Sequence, residues 1–175
     1  MYKAISITLL SLLITACTTG PVVVAGDGDA PIRAGMQLEL ARPVTVPAGN
    51  ASVYIQNGRV VEPGLQDNYY AWCRLILKTL RPVPHVLPPA TFRVIDIQRE
   101  IEDVRARPLR YAALGPQLAG SASADDYITT FYLQSDQAPD VERLVCAHWE
   151  DPTLSPEHLT ASQIRKTLGD LLIFR

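Results

Sequence analysis

The sequence is short of charge, and of positive charge in particular. Charged residues make up 19% of the chain, and 16 lysines and arginines stand against 18 acidic residues, which gives a net charge of −2. A nucleic-acid-binding protein needs a basic patch to neutralise phosphates, and a surface that binds anionic lipid needs clustered lysine or arginine. The composition therefore argues against a nucleic-acid partner and against a polybasic membrane surface.

Motifs for catalysis and for metal binding are also missing. The sequence has no G-x-S-x-G nucleophile elbow, and its three histidines, His85, His148 and His158, show no H-x-x-x-H or H-E-x-x-H spacing. Residues 26–29 are acidic, but they lack the twelve-residue ligand pattern of a calcium loop. We therefore predict no catalytic residue, no metal site and no cofactor.

Two groups of polar residues leave an alternative open. The densest cluster, residues 148–151, is typical of a strand end that enters a turn, because consecutive strand residues point to opposite faces. The pairs Asp125-Asp126 and Glu102-Asp103 are typical of solvated turns and faces. Since spacing in sequence does not set distance in space, a hydrolase whose site is assembled only in the fold remains the alternative.

The apolar run at the N-terminus, residues 4–14, follows Lys3 and contains only three mildly polar residues. It is far shorter than the ~20 apolar residues that a transmembrane helix needs. A positive start, a short apolar core and small residues before a cut are typical of a secretory signal.

The end of this run, Ile14-Thr15-Ala16-Cys17, resembles the lipobox of bacterial lipoproteins. The resemblance implies that the Cys17 thiol receives a diacylglyceryl group and that the chain is cut before Cys17. The new amino group would then be acylated. Thr18 in place of an aspartate implies sorting to the outer membrane. The alternatives are an ordinary cleaved signal with a cysteine nearby and a buried N-terminal helix.

The chain divides into three segments on this reading. Residues 1–16 are the signal peptide, residues 17–35 are a lipidated and flexible tether rich in glycine, aspartate and proline, and residues 36–175 are one β-rich domain. An apolar content of 47% is typical of a globular body. Two cysteines remain besides Cys17, and the secreted compartment permits a disulfide between Cys73 and Cys146. Two buried free thiols are the alternative.

Alternating apolar and polar residues predict a series of strands. Residues 36–46 form two short strands or one edge strand bent at Pro43, and residues 51–61 form a hairpin that turns at Asn57-Gly58. Residues 69–80 fit a strand, with a helix as competitor, and the four prolines in 81–89 indicate an irregular connection. Residues 91–103 begin as a strand, and the later part, residues 98–106, suits a strand extension or a short helix.

The rest of the chain contains further strands and one helix. Residues 107–126 read as a long surface loop, and residues 127–133 and 141–149 as two strands. Thr160 and Gln163 form a capping-box pattern, and Gly169 is a natural stop for the helix that follows. Residues 171–174 suit a last strand. The sum predicts a mainly β fold, an antiparallel sandwich or barrel-like domain with one short C-terminal helix.

The aromatic residues fall on predicted strands, where most would be core or cross-strand pairs. Tyr69, Tyr70 and Trp72 are the set that we single out as a candidate binding face for a peptide, a glycan or a partner strand.

We therefore expect an outer-membrane-anchored periplasmic lipoprotein that acts as a binding module or as an assembly or structural module, and not as an enzyme. Its partners would be the membrane, through the lipid anchor, and an envelope protein or glycan. An envelope hydrolase is the alternative.

Labelling with a radioactive fatty acid tests the anchor. The native chain is expected to carry label, and Cys17→Ala is expected to carry none, because the substitution removes the thiol that receives the lipid. Label that persists in Cys17→Ala contradicts the assignment.

Overall fold

The alternation of apolar and polar residues produces twelve strands and one α-helix in the part of the chain that this computed structural model describes, residues 20–25, 30–104 and 124–175. In chain order the strands are β1 (Val23–Val24), β2 (Ile32–Arg33), β3 (Gln37–Leu40), β4 (Val44–Val46), β5 (Ser52–Gln56), β6 (Arg59–Val61), β7 (Trp72–Leu77), β8 (His85–Leu87), β9 (Ala90–Asp103), β10 (Asp125–Gln134), β11 (Val141–Glu150) and β12 (Leu172–Phe174). The helix α1 spans Ala161–Leu168, and a short 3-10 helix spans Pro152–Leu154. None of the helices in these ranges has the length and apolar character needed to cross a membrane.

Eight of the strands form one antiparallel sheet in the order β12-β3-β9-β10-β11-β7-β5-β6. Strands twist with a fixed hand, and this sheet curls into a half-barrel. Two small sheets, β1-β2 and β4-β8, lie beside it. The predicted mainly β class, the antiparallel barrel-like arrangement and the short C-terminal helix are confirmed.

The β5-β6 hairpin turns where the sequence predicts. Asn57 has a φ of 53° and Gly58 a φ of 72°, and the positive φ at both central residues is what a type I′ turn requires. Residues 36–46 form the two short strands β3 and β4, which pair in different sheets.

β9 is longer than any other strand described here, and its charged second half stays extended. Residues 97–103 pair one for one with β10, from Ile97 opposite Phe131 to Asp103 opposite Asp125. The strand prediction for this half is confirmed and the helix alternative is wrong, because pairing with a long neighbour outweighs local propensity.

Two predicted connections differ from the structure. The proline-rich residues 81–89, predicted as an irregular connection, include the strand β8. Its three residues lie between Pro84 and Pro88 and pair with β4. The prolines are tolerated because they flank a short edge strand and remove no hydrogen bond from the pairing. The predicted loop 107–126 ends too late, since Asp125 and Asp126 already belong to β10. Residues 105–123 lie outside the described residues.

Part of the predicted tether is docked on the domain. Val24 and Ile32 are 0% exposed and belong to the main core, and the Ala25 carbonyl accepts a hydrogen bond of 2.8 Å from the Ala161 amide. The Arg165 guanidinium donates to the Ala30 carbonyl at 2.7 Å. The predicted start of the domain at residue 36 is therefore too late. The signal peptide and Cys17 lie outside the described residues.

The main core lies between one face of the sheet and α1. Leu75, Phe131 and Leu144 on the sheet pack in one cluster with Ile164 and Leu168 of the helix, and each such buried side chain contributes about 1.5–3 kcal/mol. We call this side of the sheet the core face. The predicted capping box is present, since the Gln163 amide donates to the Thr160 hydroxyl at 3.3 Å and the Thr160 amide donates to the Gln163 side-chain oxygen at 2.8 Å.

The predicted disulfide joins Cys73 and Cys146, which lie directly opposite each other on β7 and β11 and are 0% exposed. The bond closes a loop with a sequence separation of 73 residues. In the chain-entropy model a loop of this length gives roughly 4 kcal/mol of stability.

The hairpin turn and the end of α1 meet at two glycines. A Cβ on Gly169 would lie 2.7 Å from the Cα of Gly58, and Gly169 has a positive φ of 59°. The Gly58 amide donates to the Thr167 carbonyl at 2.8 Å. The close approach fixes the β5-β6 hairpin against the helix.

Gly169→Ala is expected to lower the free energy of unfolding by at least ~2 kcal/mol, because it adds a backbone clash to the cost of a left-handed residue. Gly64→Ala is the matched control, since Gly64 has a φ of 88° and a Cβ added there would have no atom within 4 Å. Its loss of stability therefore reflects backbone strain alone. Denaturant unfolding measures both. Equal losses in the two variants contradict the close-contact explanation.

Candidate functional site

The sheet carries a second cluster of buried side chains on the face away from α1. Its members are Trp72, Ile128, Val145 and Ala147, which alternate along β7, β10 and β11 with residues of the main core. Because successive strand residues point to opposite faces, the central strands are apolar on both sides. We call this second side the trough face.

Backbone pairing aligns the trough-face residues in rows across the strands. In one row, from β9 to β7, the paired residues are Glu100, Ile128, Ala147 and Trp72. In the adjacent row, from β9 to β5, they are Gln98, Thr130, Val145, Arg74 and Tyr54. The rows place β9 on one side, β7 and β5 on the other, and small or apolar residues between them.

A cavity of about 400 Å³ lies on this face, within the range of about 300–1,000 Å³ that is typical of small-ligand sites. Ile128 and Val145 are 8% and 7% exposed and form part of its lining. We call this cavity the trough. We call the apolar residues Ile128 and Val145 at its base the floor; most of the other lining residues, Asp126 and Thr130 on β10 among them, are polar or charged.

The wall on the β7 and β5 side is aromatic and cationic. The Arg74 guanidinium lies 5.4 Å above the centre of the Tyr54 ring and donates a hydrogen bond of 3.0 Å to the Tyr54 hydroxyl. The Tyr54 and Trp72 ring centroids are 5.7 Å apart. These contacts hold Arg74 in one orientation. Arg143 on the neighbouring strand β11, which is half-buried and 3.2 Å from Glu142, lines the trough next to this wall.

The wall on the β9 side is acidic. Glu100 is exposed, lines the trough and makes no hydrogen bond or ion pair within residues 20–25, 30–104 and 124–175. Glu102 on β9 and the buried Asp126 beside it on β10 line the same cavity at the next row. The two walls therefore differ in the sign of their charge.

The structure does not bring the three predicted binding-face aromatics together. Trp72 is 6% exposed and lies in the trough wall, whereas Tyr69 and Tyr70 are 62% and 69% exposed and border another cavity of about 270 Å³ beside α1. The reason is that β7 begins at Trp72, so the two tyrosines lie in the preceding turn and not on the strand. Tyr69 packs edge-on against Trp149 at 5.7 Å.

Two histidines, the buried His148 and the half-buried His158, flank Tyr127 on the core face of the sheet. Its ring stacks on His148 at 6.0 Å and meets His158 edge-on at 5.6 Å. Burial lowers the pKa of His148, and the nearby Glu150 partly offsets this. Burial also lowers the pKa of His158, as do the charge of Arg99 and the neighbouring His148. Both imidazoles are therefore neutral at pH 7.

His148 and Glu150 are the members of the 148–151 cluster that share a side, with His148 Nε2 3.5 Å from a Glu150 oxygen. This pair borders the cavity beside Tyr69 and Tyr70. A histidine–carboxylate pair acts in nucleophilic catalysis only when a nucleophile is hydrogen bonded to the imidazole. In the described part of the chain no serine, threonine or cysteine side chain makes that bond, and no group of three or more potential ligand residues is arranged to hold a metal.

Comparison of the chain with protein-family models, with curated proteins and with solved structures finds no match. The assignment of function therefore rests on the geometry of the domain itself. The sequence prediction missed Tyr54, Arg74, Glu100 and Ile128 as site residues. The available signal was the pair of strands at residues 125–134 and 141–150, where apolar residues occur on both faces instead of alternating with polar ones.

Acidification is expected to lower the free energy of unfolding through His148 and His158. Both have a pKa below the ordinary 6.5 in the folded chain, so below that pH the unfolded chain binds more protons and stability falls as the pH falls. Well above about pH 6.5, where the histidines are neutral in both the folded and the unfolded chain, their contribution is constant.

Denaturant unfolding at about pH 7.5 and about pH 5 measures this dependence. The double variant His148→Gln, His158→Gln is expected to lose less stability over that range than the native chain. The same loss in both proteins would exclude the histidines as its source.

Proposed function

We propose that this chain is a lipid-anchored protein of the bacterial envelope, held at the outer membrane through Cys17. Its β-rich domain faces the periplasm and acts as a non-enzymatic binding or assembly module. Support for the anchor comes from the lipobox-type sequence at residues 14–17, and two acyl chains bind a membrane stably where one does so only marginally. The disulfide between Cys73 and Cys146 suits a compartment outside the cytoplasm.

The observation that carries the binding role is the trough. The trough offers apolar contact at Ile128 and Val145, a guanidinium held in place at Arg74, and a lining that is otherwise mostly polar or charged. Convergent polar groups in a cavity of this size suit a small polar ligand. The core face already packs against α1. The trough face is thus the side of the sheet that we assign to a partner.

Affinity capture from envelope extracts tests this role. The full mature chain in detergent is expected to recover a protein, lipid or glycan above background. The double variant Glu100→Lys, Arg143→Glu is expected to recover roughly tenfold less, because rim charges select the partner. Both residues are accessible enough to be exchanged without a core defect, since Glu100 is exposed and Arg143 is half-buried.

The matched control is Arg33→Glu, Glu62→Lys, which makes the same kind of exchange at exposed positions outside the trough. This control is expected to recover as much partner from the extract as the native chain does. The proposal fails if nothing is recovered above background, or if the trough variant and the control recover equal amounts.

A further inference from the structure

We propose that the trough binds a short peptide with a free amino group and a free carboxylate. The amino group would lie at the Glu100 wall, and the carboxylate near Arg74 on β7 and Arg143 on β11. This inference deepens the binding role proposed above and rests on it. It is carried by the opposite charges of two walls that the sheet holds at a fixed separation.

The separation of the walls follows from the register. Glu100 is on β9 and Arg74 on β7, with β10 and β11 between them. Three strand spacings of about 4.8 Å put the two backbones roughly 14 Å apart. Both side chains stand on the same face and line the same cavity, so a ligand in the gap between them can meet both charged ends.

The length of the ligand follows from that gap. An extended peptide rises about 3.4 Å per residue, so two to four residues bridge the walls with their terminal charges. A cavity of about 400 Å³ is suited to a ligand of this size, and it is small for a folded partner.

Complementary charge gives the ligand its direction. Arg74 is already oriented by the Tyr54 hydroxyl, and a fixed guanidinium can bind a carboxylate through two parallel hydrogen bonds. The Arg74 Nε–H has no acceptor in the described part of the chain. A buried donor without an acceptor costs free energy, and a carboxylate that reached Arg74 would remove this cost.

The floor and the aromatic rings favour a peptide over a glycan. Ile128 and Val145 offer apolar contact for small aliphatic side chains. A sugar stacks on an open aromatic face, but Trp72 is 6% exposed and the Tyr54 ring is covered on one side by Arg74. The exposed rings of Tyr69 and Tyr70 border the other cavity.

Calorimetric titration of the full mature chain in detergent tests the ligand class. The probes are the tripeptide Ala-Leu-Ala with free ends, its N-acetylated form, its C-amidated form and a form with both ends blocked. The free peptide is expected to bind about tenfold more tightly than either singly blocked peptide, because each block removes one charge pair. Raising the salt concentration is expected to reduce the difference in affinity between the free and the blocked peptides.

Substitutions in the trough test which residues bind each end of the peptide. Glu100→Gln is expected to remove the preference for a free amino group and to keep that for a free carboxylate. Arg74→Gln and Arg143→Gln are expected to do the reverse. Arg143→Gln keeps the test usable if loss of the Arg74–Tyr54 contact unfolds the domain. The controls Arg33→Gln and Glu62→Gln, both exposed and outside the trough, are expected to keep both preferences.

Three results would overturn the inference. Equal affinity for free and fully blocked peptides shows that the charges do not select the ligand. Tighter binding of an oligosaccharide such as chitotriose makes the occupant a glycan. Absence of peptide binding, together with capture from extracts that still depends on Glu100 and Arg143, overturns the ligand class and leaves the proposed binding role standing. If that capture is absent too, both fail.

Discussion

The hydrogen-bonded register of β9, β10, β11 and β7 is the constraint on which the domain depends. Side chains of a strand alternate between faces, so a shift of one residue in any of these pairs would exchange the two faces along that strand. With Phe131 paired to Leu144 and Ile128 paired to Ala147, the first pair lies in the core with α1 and the second lies under the trough. Folding and the candidate function thus depend on the same ladder of backbone hydrogen bonds.

The disulfide connects these two roles. Cys73 lies between Trp72 and Arg74, and Cys146 lies between Val145 and Ala147. The bond is on the core face, but it joins the two strands that carry the cationic wall and part of the trough floor. It therefore fixes the position of Arg74 relative to Val145 from behind the sheet, and it limits the freedom with which the trough can change width.

Features encoded by a few adjacent residues could be predicted from the sequence. The Asn57-Gly58 turn, the Thr160 and Gln163 capping box and the paired cysteines each have a local or compositional signal, and all are present. Features that depend on distant partners could not. The docking of Val24 and Ile32 on the core, the pairing of β8 with β4 and the extension of β9 along β10 are all contacts between remote segments.

The same limit applies to the candidate site. The prediction from the sequence grouped Tyr69, Tyr70 and Trp72 because they are close in the chain. The trough is instead lined by residues of four different strands: Tyr54, Arg74, Glu100 and Ile128. Those residues come together only through strand order and register. Apolar residues on both faces of β10 and β11 were the one local sign that the second face has a role of its own.

The proposed binding role requires that the two faces of one sheet serve separate purposes. Methyl NMR spectra of the full mature chain, recorded during addition of the free tripeptide, test it most directly. We predict chemical-shift changes at the methyl groups of Ile128 and Val145 on the trough face, with the methyl groups of Val53 and Leu144 on the core face unchanged. Changes confined to the core-face methyl groups, or none at Ile128 and Val145 at saturating peptide, would contradict the account.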